Sequence, residues 1–247
     1  AMRTTGLGGD SEVHIQDEGL HGGITLGPGR LIPVSLIGAE APDVVHAALD
    51  DQLRRSVPNE HDAKFVRAVP GMSTEGLPER EQSLFARIGD AVLPLGKVLQ
   101  TRLDGQALQR LVARGLVQMA GVTPSDASHV LGGLSDWDAG AARSALELIG
   151  RRRTGSGNRL CPEPSKLAEL IVDQLTHQTS LALLETAFAE DGHEFGLPAE
   201  DLARHVLMQR GLAHHNGLIR IGSGLNVPVV GLGASAPFYY PAVGARL

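Results

Sequence analysis

Three glycines within four positions, Gly6-Leu7-Gly8-Gly9, followed by Asp10 and Ser11, are the residues of this sequence whose types and spacing most suggest chemistry. Glycine lets the backbone take positive φ and gather several N–H groups around one point, which suits a phosphate. A glycine-rich entrance to a hairpin fits the same residues, because the alternating run Glu12-Val13-His14-Ile15 follows at once. At the far end, Val227-Pro228-Val229-Val230 runs into Gly231-Leu232-Gly233-Ala234-Ser235. A strand, a glycine turn and a helix N-terminus in that order make a general site for a phosphate or ribose.

Other side chains invite sharper roles. His129 stands one helical turn from Ser125 and Asp126, so an acid and an imidazole could share a face for metal binding or proton transfer. With no third ligand close in sequence, a structural histidine linked to a helix cap is the preferred reading. His214-His215 lacks an acidic partner and reads as a solvated pair. Cys161, between Leu160 and Pro162, has no basic neighbour to make it a thiolate and reads as a packed thiol. Ser235 follows an apolar run, as the serine of a nucleophile elbow does, but Pro237 stands where an elbow requires glycine. Arg151-Arg152-Arg153 offers an anion contact, or complements the C-terminal end of a preceding helix, which is the preferred account.

These residues need elements to hold them. Alternation at 11–15 and 24–26 predicts a small antiparallel sheet, with a turn at Asp17-Glu18-Gly19, a stop at Gly27-Pro28-Gly29 and a short edge strand over 30–34. Helical spacing begins at Pro42 and runs to 53, and residues 56–76 read as a connection between lobes. A helix over 78–92, a turn at 95–99, a helix over 105–114 and a strand at 116–119 follow. Thr123-Pro124-Ser125-Asp126 has the spacing of a capping box with proline in the first helical position, and Ser135-Asp136-Trp137-Asp138 repeats the device. The longest helix is predicted over 165–190, a shorter one from 198 to a stop at Gly211, then strands at 218–221 and 227–232 and a last helix to 247. The run over 227–232 reads as a strand covered on both faces.

Composition narrows the function classes. The chain has 247 residues, 42% hydrophobic and 20% charged, with a net charge of −6. The acidic balance argues against broad adhesion to nucleic acid or anionic lipid. Aromatic residues, at 3%, leave little material for stacking bases. One cysteine excludes an internal disulfide and a cysteine-based zinc cluster. No apolar run approaches bilayer length, and the expected setting is the cytoplasm, without a membrane partner. The order helix, short helix, helix, strand over 79–119 is that of a winged helix, with Gln106, Gln109, Arg110 and Arg114 able to face a groove. A structural insert of that shape, with no nucleic-acid partner, is the reading preferred.

Taken together, Thr5-Gly6-Leu7-Gly8-Gly9-Asp10-Ser11, Gly27-Pro28, the block from Val122-Thr123-Pro124-Ser125-Asp126 to His129-Val130-Leu131-Gly132, Trp137-Asp138, and Pro228-Val229-Val230-Gly231-Leu232-Gly233-Ala234 resemble the hydantoinase A and 5-oxoprolinase family in the same order. The resemblance implies an α/β fold, a partial ATPase domain of the actin-like and sugar-kinase-like kind with a mainly helical, winged-helix-like insert. On it, 1–55 and 211–247 form the sheet domain, 77–153 the insert, and 160–210 long helices packing on the sheet. It implies ATP and Mg²⁺ as cofactors, a cyclic amide such as a hydantoin or 5-oxoproline as substrate, and a hydantoinase B-type subunit as partner. Gly6, Gly8, Gly9, Asp10 and Ser11 would lie on the phosphates and Gly231, Gly233, Ala234 and Ser235 near the nucleoside. Many members carry glycine in place of Asp10, which would either hold Mg²⁺ through water or repel the phosphates. The family's other phosphate loop, Asp-x-Gly-Gly-Thr, is not in this sequence, so the expectation is a fragment that does not turn over alone. A non-catalytic binding or scaffold protein built on the winged-helix segment is the alternative.

Overall fold

The alternation that starts at Ser11 folds as a hairpin in the computed structural model, which describes residues 4–16, 23–192, 195–233 and 236–247. Strand β1 (Ser11–Gln16) pairs antiparallel with β2 (Gly23–Arg30), Val13 opposite Leu26 and Ile15 opposite Ile24. β2 does not stop at Gly27-Pro28-Gly29 as expected: the Gly27–Pro28 bond is cis and pairing resumes with Arg30 opposite Ser11. The proline sits where the register is already irregular, between Ser11 and Val13, so its missing N–H breaks no regular ladder. The turn expected at Asp17-Glu18-Gly19 lies outside the described residues.

Contacts divide the chain into Gly9–Ile171 and a second unit made of the residues up to Gly8 with Val172–Leu247. In the first unit the hairpin leads into β3 (Ile32–Pro33), α1 (Val34–Glu40) and α2 (Pro42–Arg54). Pro33 ends the edge strand, and Val34 opens a helix instead of extending it. Helix α2 has proline in its first turn with Asp43 beside it, a start that complements the helix dipole, and it buries Val45 and Leu49. The stretch expected to be a connection holds β4 (Phe65–Ala68), an inner strand.

After β4 come α3 (Glu79–Ile88), β5 (Leu93–Pro94), α4 (Leu95–Val98), α5 (Arg102–Ala113) and β6 (Val117–Gly121). The four-stranded sheet has the order β3-β6-β4-β5, with β3 parallel to β6 and β4 antiparallel to both neighbours. Helix, short helix, helix and strand therefore follow in the order read from sequence, but the strand beside β6 precedes α3 in the chain. A core of Val66, Leu84, Ile88, Val98, Leu108 and Leu111 joins these helices to the sheet. The start of α5 is a capping box between Thr101 and Asp104, three residues earlier than predicted.

Helices α6 (Pro124–Val130) and α7 (Ala139–Gly150) complete this unit. Alanines 141, 142 and 145 let α7 pack closely on α1 and α2, and a Cβ on Gly38 of α1 would lie 2.7 Å from that of Ala141.

The second unit holds most of α8 (Pro164–Asp191), then α9 (Ala199–Arg204), α10 (Val206–Leu212) and α11 (Ala236–Arg246). The single helix expected from 198 breaks at His205, whose Nδ1 accepts from Leu207 N–H to start α10. Leu184, Ala203 and Leu212 form its core. The strands expected at 218–221 and 227–232 do not form: Asn216 and Arg220 make an isolated bridge, and Val227, Val230 and Leu232 are 64%, 75% and 85% exposed. A continuous apolar run records strand propensity only, Pro228 withholds a donor, and propensity without a ladder partner does not make a strand. Among the described residues every strand belongs to Gly9–Ile171, so the sheet expected from 1–55 with 211–247 has no counterpart there. The fold is mixed α/β, and no described helix is long and apolar enough to cross a membrane.

Candidate functional site

The loop before β1 is anchored by its carbonyls. Gly9 O accepts from Ser125 N–H at 2.9 Å, and Asp10 O accepts from Leu31 N–H at 2.9 Å. Thus the loop is hydrogen-bonded to the first turn of α6, over a hundred residues away in the chain. Gly6, Gly8 and Gly9 are half-buried, and none is among the glycines found at positive φ in the described residues. The loop therefore enters β1 without using the positive φ that glycine permits. Ser11 is buried, at 1% exposure, at the start of β1. Gly9, Asp10 and Ser11 belong to the Gly9–Ile171 unit, and Gly6 and Gly8 to the other.

Asp10, partly exposed, pairs with Arg30 at 3.1 Å. No group of three histidine, cysteine or acidic side chains suited to a metal exists among the described residues, and the Asp10 carboxylate is already shared with the Arg30 guanidinium. At the other expected turn, a Cβ on Gly231 would meet the Tyr240 ring at 2.7 Å, so glycine there admits an aromatic side chain. Gly233 has φ +116, a region open to glycine, and no atom would crowd a Cβ there. Ala234 and Ser235 lie outside the described residues.

The acid and the imidazole near the start of α6 are both spent on structure. Asp126 is fully buried and accepts from Thr123 N–H at 2.9 Å and Thr123 Oγ1–H at 3.0 Å, closing the predicted capping box. The same carboxylate accepts from Val34 N–H at 3.2 Å and Ser35 N–H at 2.7 Å, so it also caps α1. Burial pushes its pKa up, against the pull of these donors. His129 Nδ1–H donates to Ser125 O at 2.7 Å, while its Nε2 accepts from Trp137 N–H at 3.3 Å. Its ring stacks on Trp137 with centroids 5.1 Å apart. With both nitrogens on the backbone, His129 is the cap-linked structural histidine, and the metal or proton-transfer role does not fit it.

The remaining candidates resolve similarly. Cys161 is buried, its thiol 3.4 Å from Glu163 O, as a packed thiol should be. His214 Nε2 lies 2.8 Å from Ala245 O. Arg151 donates to Leu53 O at 2.9 Å and to Arg55 O, capping the end of α2, where the expectation had been its own helix.

Sequence reasoning missed one titratable pair. His46 Nε2 is 2.6 Å from Asp138 Oδ2, while Asp138 Oδ1 accepts from Ala141 N–H at 2.9 Å. Asp138 is thus the N-cap of α7, a role expected of Ser135. Despite its partial burial, the Ala141 N–H and the imidazole hold the Asp138 carboxyl below its ordinary value. An aspartate directly before Ala139-Gly140-Ala141 carries the cap signal; nothing in the sequence marks His46 as its partner.

The chain matches no protein-family model, no curated protein and no solved structure.

Proposed function

We propose that this chain is part of an ATP-dependent enzyme that opens cyclic amides of the hydantoin or 5-oxoproline kind, and that it contributes part of the nucleotide-phosphate site of an actin-like ATPase fold. One observation supports the reading above others. Two blocks that carry the resemblance, 6–11 and 123–132, meet through the hydrogen bond from Ser125 N–H to Gly9 O. In this account the glycine-rich loop turns backbone N–H groups to phosphate, and Arg30, set by Asp10, adds a cation. The amide oxygen takes the γ-phosphoryl group with loss of ADP; one water adds to the activated carbon and the C–N bond breaks, its nitrogen taking a proton, to leave an acyl phosphate, which a second water hydrolyses to carboxylate and phosphate.

Saturation-transfer NMR with ATP tests the proposal. The chain should bind ATP weakly, with Kd on the order of 1 mM, or roughly −4 kcal/mol. Gly8→Val should abolish the signal in a variant whose circular dichroism shows it to be folded. No ATP hydrolysis is expected with hydantoin or 5-oxoproline. Absence of ATP binding, or binding untouched by Gly8→Val, refutes the phosphate site; turnover by the chain alone refutes its partial character. A second reading, a non-catalytic binding or scaffold protein, draws on the α3-α4-α5-β6 order and is favoured if ATP does not bind.

A further inference from the structure

We infer that the Gly9–Ile171 unit holds a small-molecule site, separate from the phosphate loop, for a zwitterionic amino acid with an apolar side chain. A cavity of about 380 Å³ lies between β1, the turn over 60–64, α5 and β6, within the range of small-molecule sites. Leu95, Leu108, Met119 and Val122 give it apolar walls, and Glu12, Glu60, Lys64 and Arg152 bring charges of both signs to it.

Two of the charged groups, Glu60 and Lys64, are carried on a constrained turn. Ala63 is buried at φ 58, a left-handed conformation that costs a residue with a Cβ. It is held there by the buried Gln52, whose Oε1 accepts Ala63 N–H at 2.8 Å. Buried Asp62 accepts Asn59 N–H at 2.7 Å and fixes the start of the same turn. Lys64 O accepts Leu95 N–H at 2.9 Å. At Gly121 of β6 a Cβ would lie 3.8 Å from Lys64 Cγ, so the lysine stem runs beside that strand. Strain of this kind persists where surrounding contacts over-determine it, as at ligand clamps.

The charges select the ligand. Lys64 Nζ stands 3.4 Å from Glu12 Oε1, and His14 Nε2 is 3.8 Å from Glu12 Oε2. Both separations exceed the roughly 2.7–2.9 Å of a tight charge-assisted bond. A simple anion would meet Glu12 and Glu60, and a simple cation would meet Lys64 and Arg152. A molecule carrying both charges satisfies both sets, its carboxylate toward Lys64 and Arg152 and its ammonium toward the glutamates. A nucleoside triphosphate, with several negative charges, is disfavoured by the same two carboxylates. The inference does not rest on the nucleotide proposal, since none of these residues belongs to that site.

Titration of the full chain with L-leucine, 4-methylpentanoate and 3-methylbutylamine, followed through the Met119 methyl resonance, tests it. L-leucine should shift the Met119 signal at about 10 mM or below, and each analogue lacking one charge should bind at least about tenfold more weakly, a difference near 1.4 kcal/mol. Lys64→Met, a half-exposed position, should weaken L-leucine at least about tenfold, equivalent to 1.4 kcal/mol, with the thermal melt unchanged. Should that variant melt early, Glu12→Gln supplies the same comparison. An unmoved Met119 signal, equal binding of the three probes, or wild-type affinity in a folded Lys64→Met overturns the inference, whether or not ATP binds.

Discussion

Replacing Asp126 by alanine should unsettle the Gly9–Ile171 unit more than any other single polar substitution considered for it. The carboxylate is fully buried and serves Val34 N–H at 3.2 Å, Ser35 N–H at 2.7 Å, Thr123 N–H at 2.9 Å and Thr123 Oγ1–H at 3.0 Å. The threonine hydroxyl can rotate to another acceptor, but three backbone donors cannot. Each buried donor left without an acceptor costs about 1–3 kcal/mol, so the three sum to roughly 3–9 kcal/mol before relaxation. Water entering the vacated space recovers part of this, which puts the expected loss at about 3–5 kcal/mol. Typical domains have about 5–15 kcal/mol in all, so the variant should be marginal. Urea unfolding followed by far-ultraviolet circular dichroism measures it, with an unchanged m-value showing that the native surface is intact. Asp126→Asn, which keeps one acceptor oxygen and turns an NH₂ toward donors, should lose more than half as much. A loss below about 1 kcal/mol for alanine, the ordinary value for one exposed helix cap, would refute the shared-cap argument.

Other outcomes follow from the same geometry. Gly38→Ala places a Cβ 2.7 Å from Ala141 Cβ and should cost about 1–3 kcal/mol in urea unfolding, with Gly105→Ala, where nothing would be crowded, as the tolerated control. Gln100 N–H, with Thr101 N–H and Arg87, holds Asp104 down to about 2 against its ordinary 3.8. The stability it supplies is complete above 3.8 and is lost as pH falls through about 2, so Asp104→Asn should flatten an acid melt across that interval. Burial, and to a lesser degree Arg246, lowers the pKa of His177 from 6.5, so stability is present above 6.5 and declines as pH falls through the folded-state value; His177→Gln should remove that decline. His129→Ala should shift the emission of Trp137, the single tryptophan, and cost about 1–3 kcal/mol, the penalty for stranding a buried Ser125 carbonyl and Trp137 N–H.

Features carried by neighbouring residues were legible before any coordinates. The capping box at Thr123-Pro124-Ser125-Asp126, the hairpin alternation from Ser11, the span of α8 and the succession of α3, α4, α5 and β6 could each be read within a window of a few turns. The loop at 6–11 was visible as a glycine cluster, and the bland reading of His129 was available from the missing third ligand. Its partners on either side were not, because Trp137 N–H reaches it only through the turn after α6.

Tertiary structure alone decided the rest. That Asp126 caps α1 as well as α6 depends on donors 91 and 92 residues away. That β4 lies inside the sheet, between β5 and β6, while the more apolar 227–232 stays exposed outside it, reverses what hydropathy ranks. His46 meeting Asp138 and Ser125 meeting Gly9 are encounters of the same kind. The physical reason is range: caps, turns and amphipathic periods are settled by contacts within about four residues. Strand neighbours, shared caps and cavities are settled by which distant surfaces exclude water together, and that is a property of the whole chain's free energy.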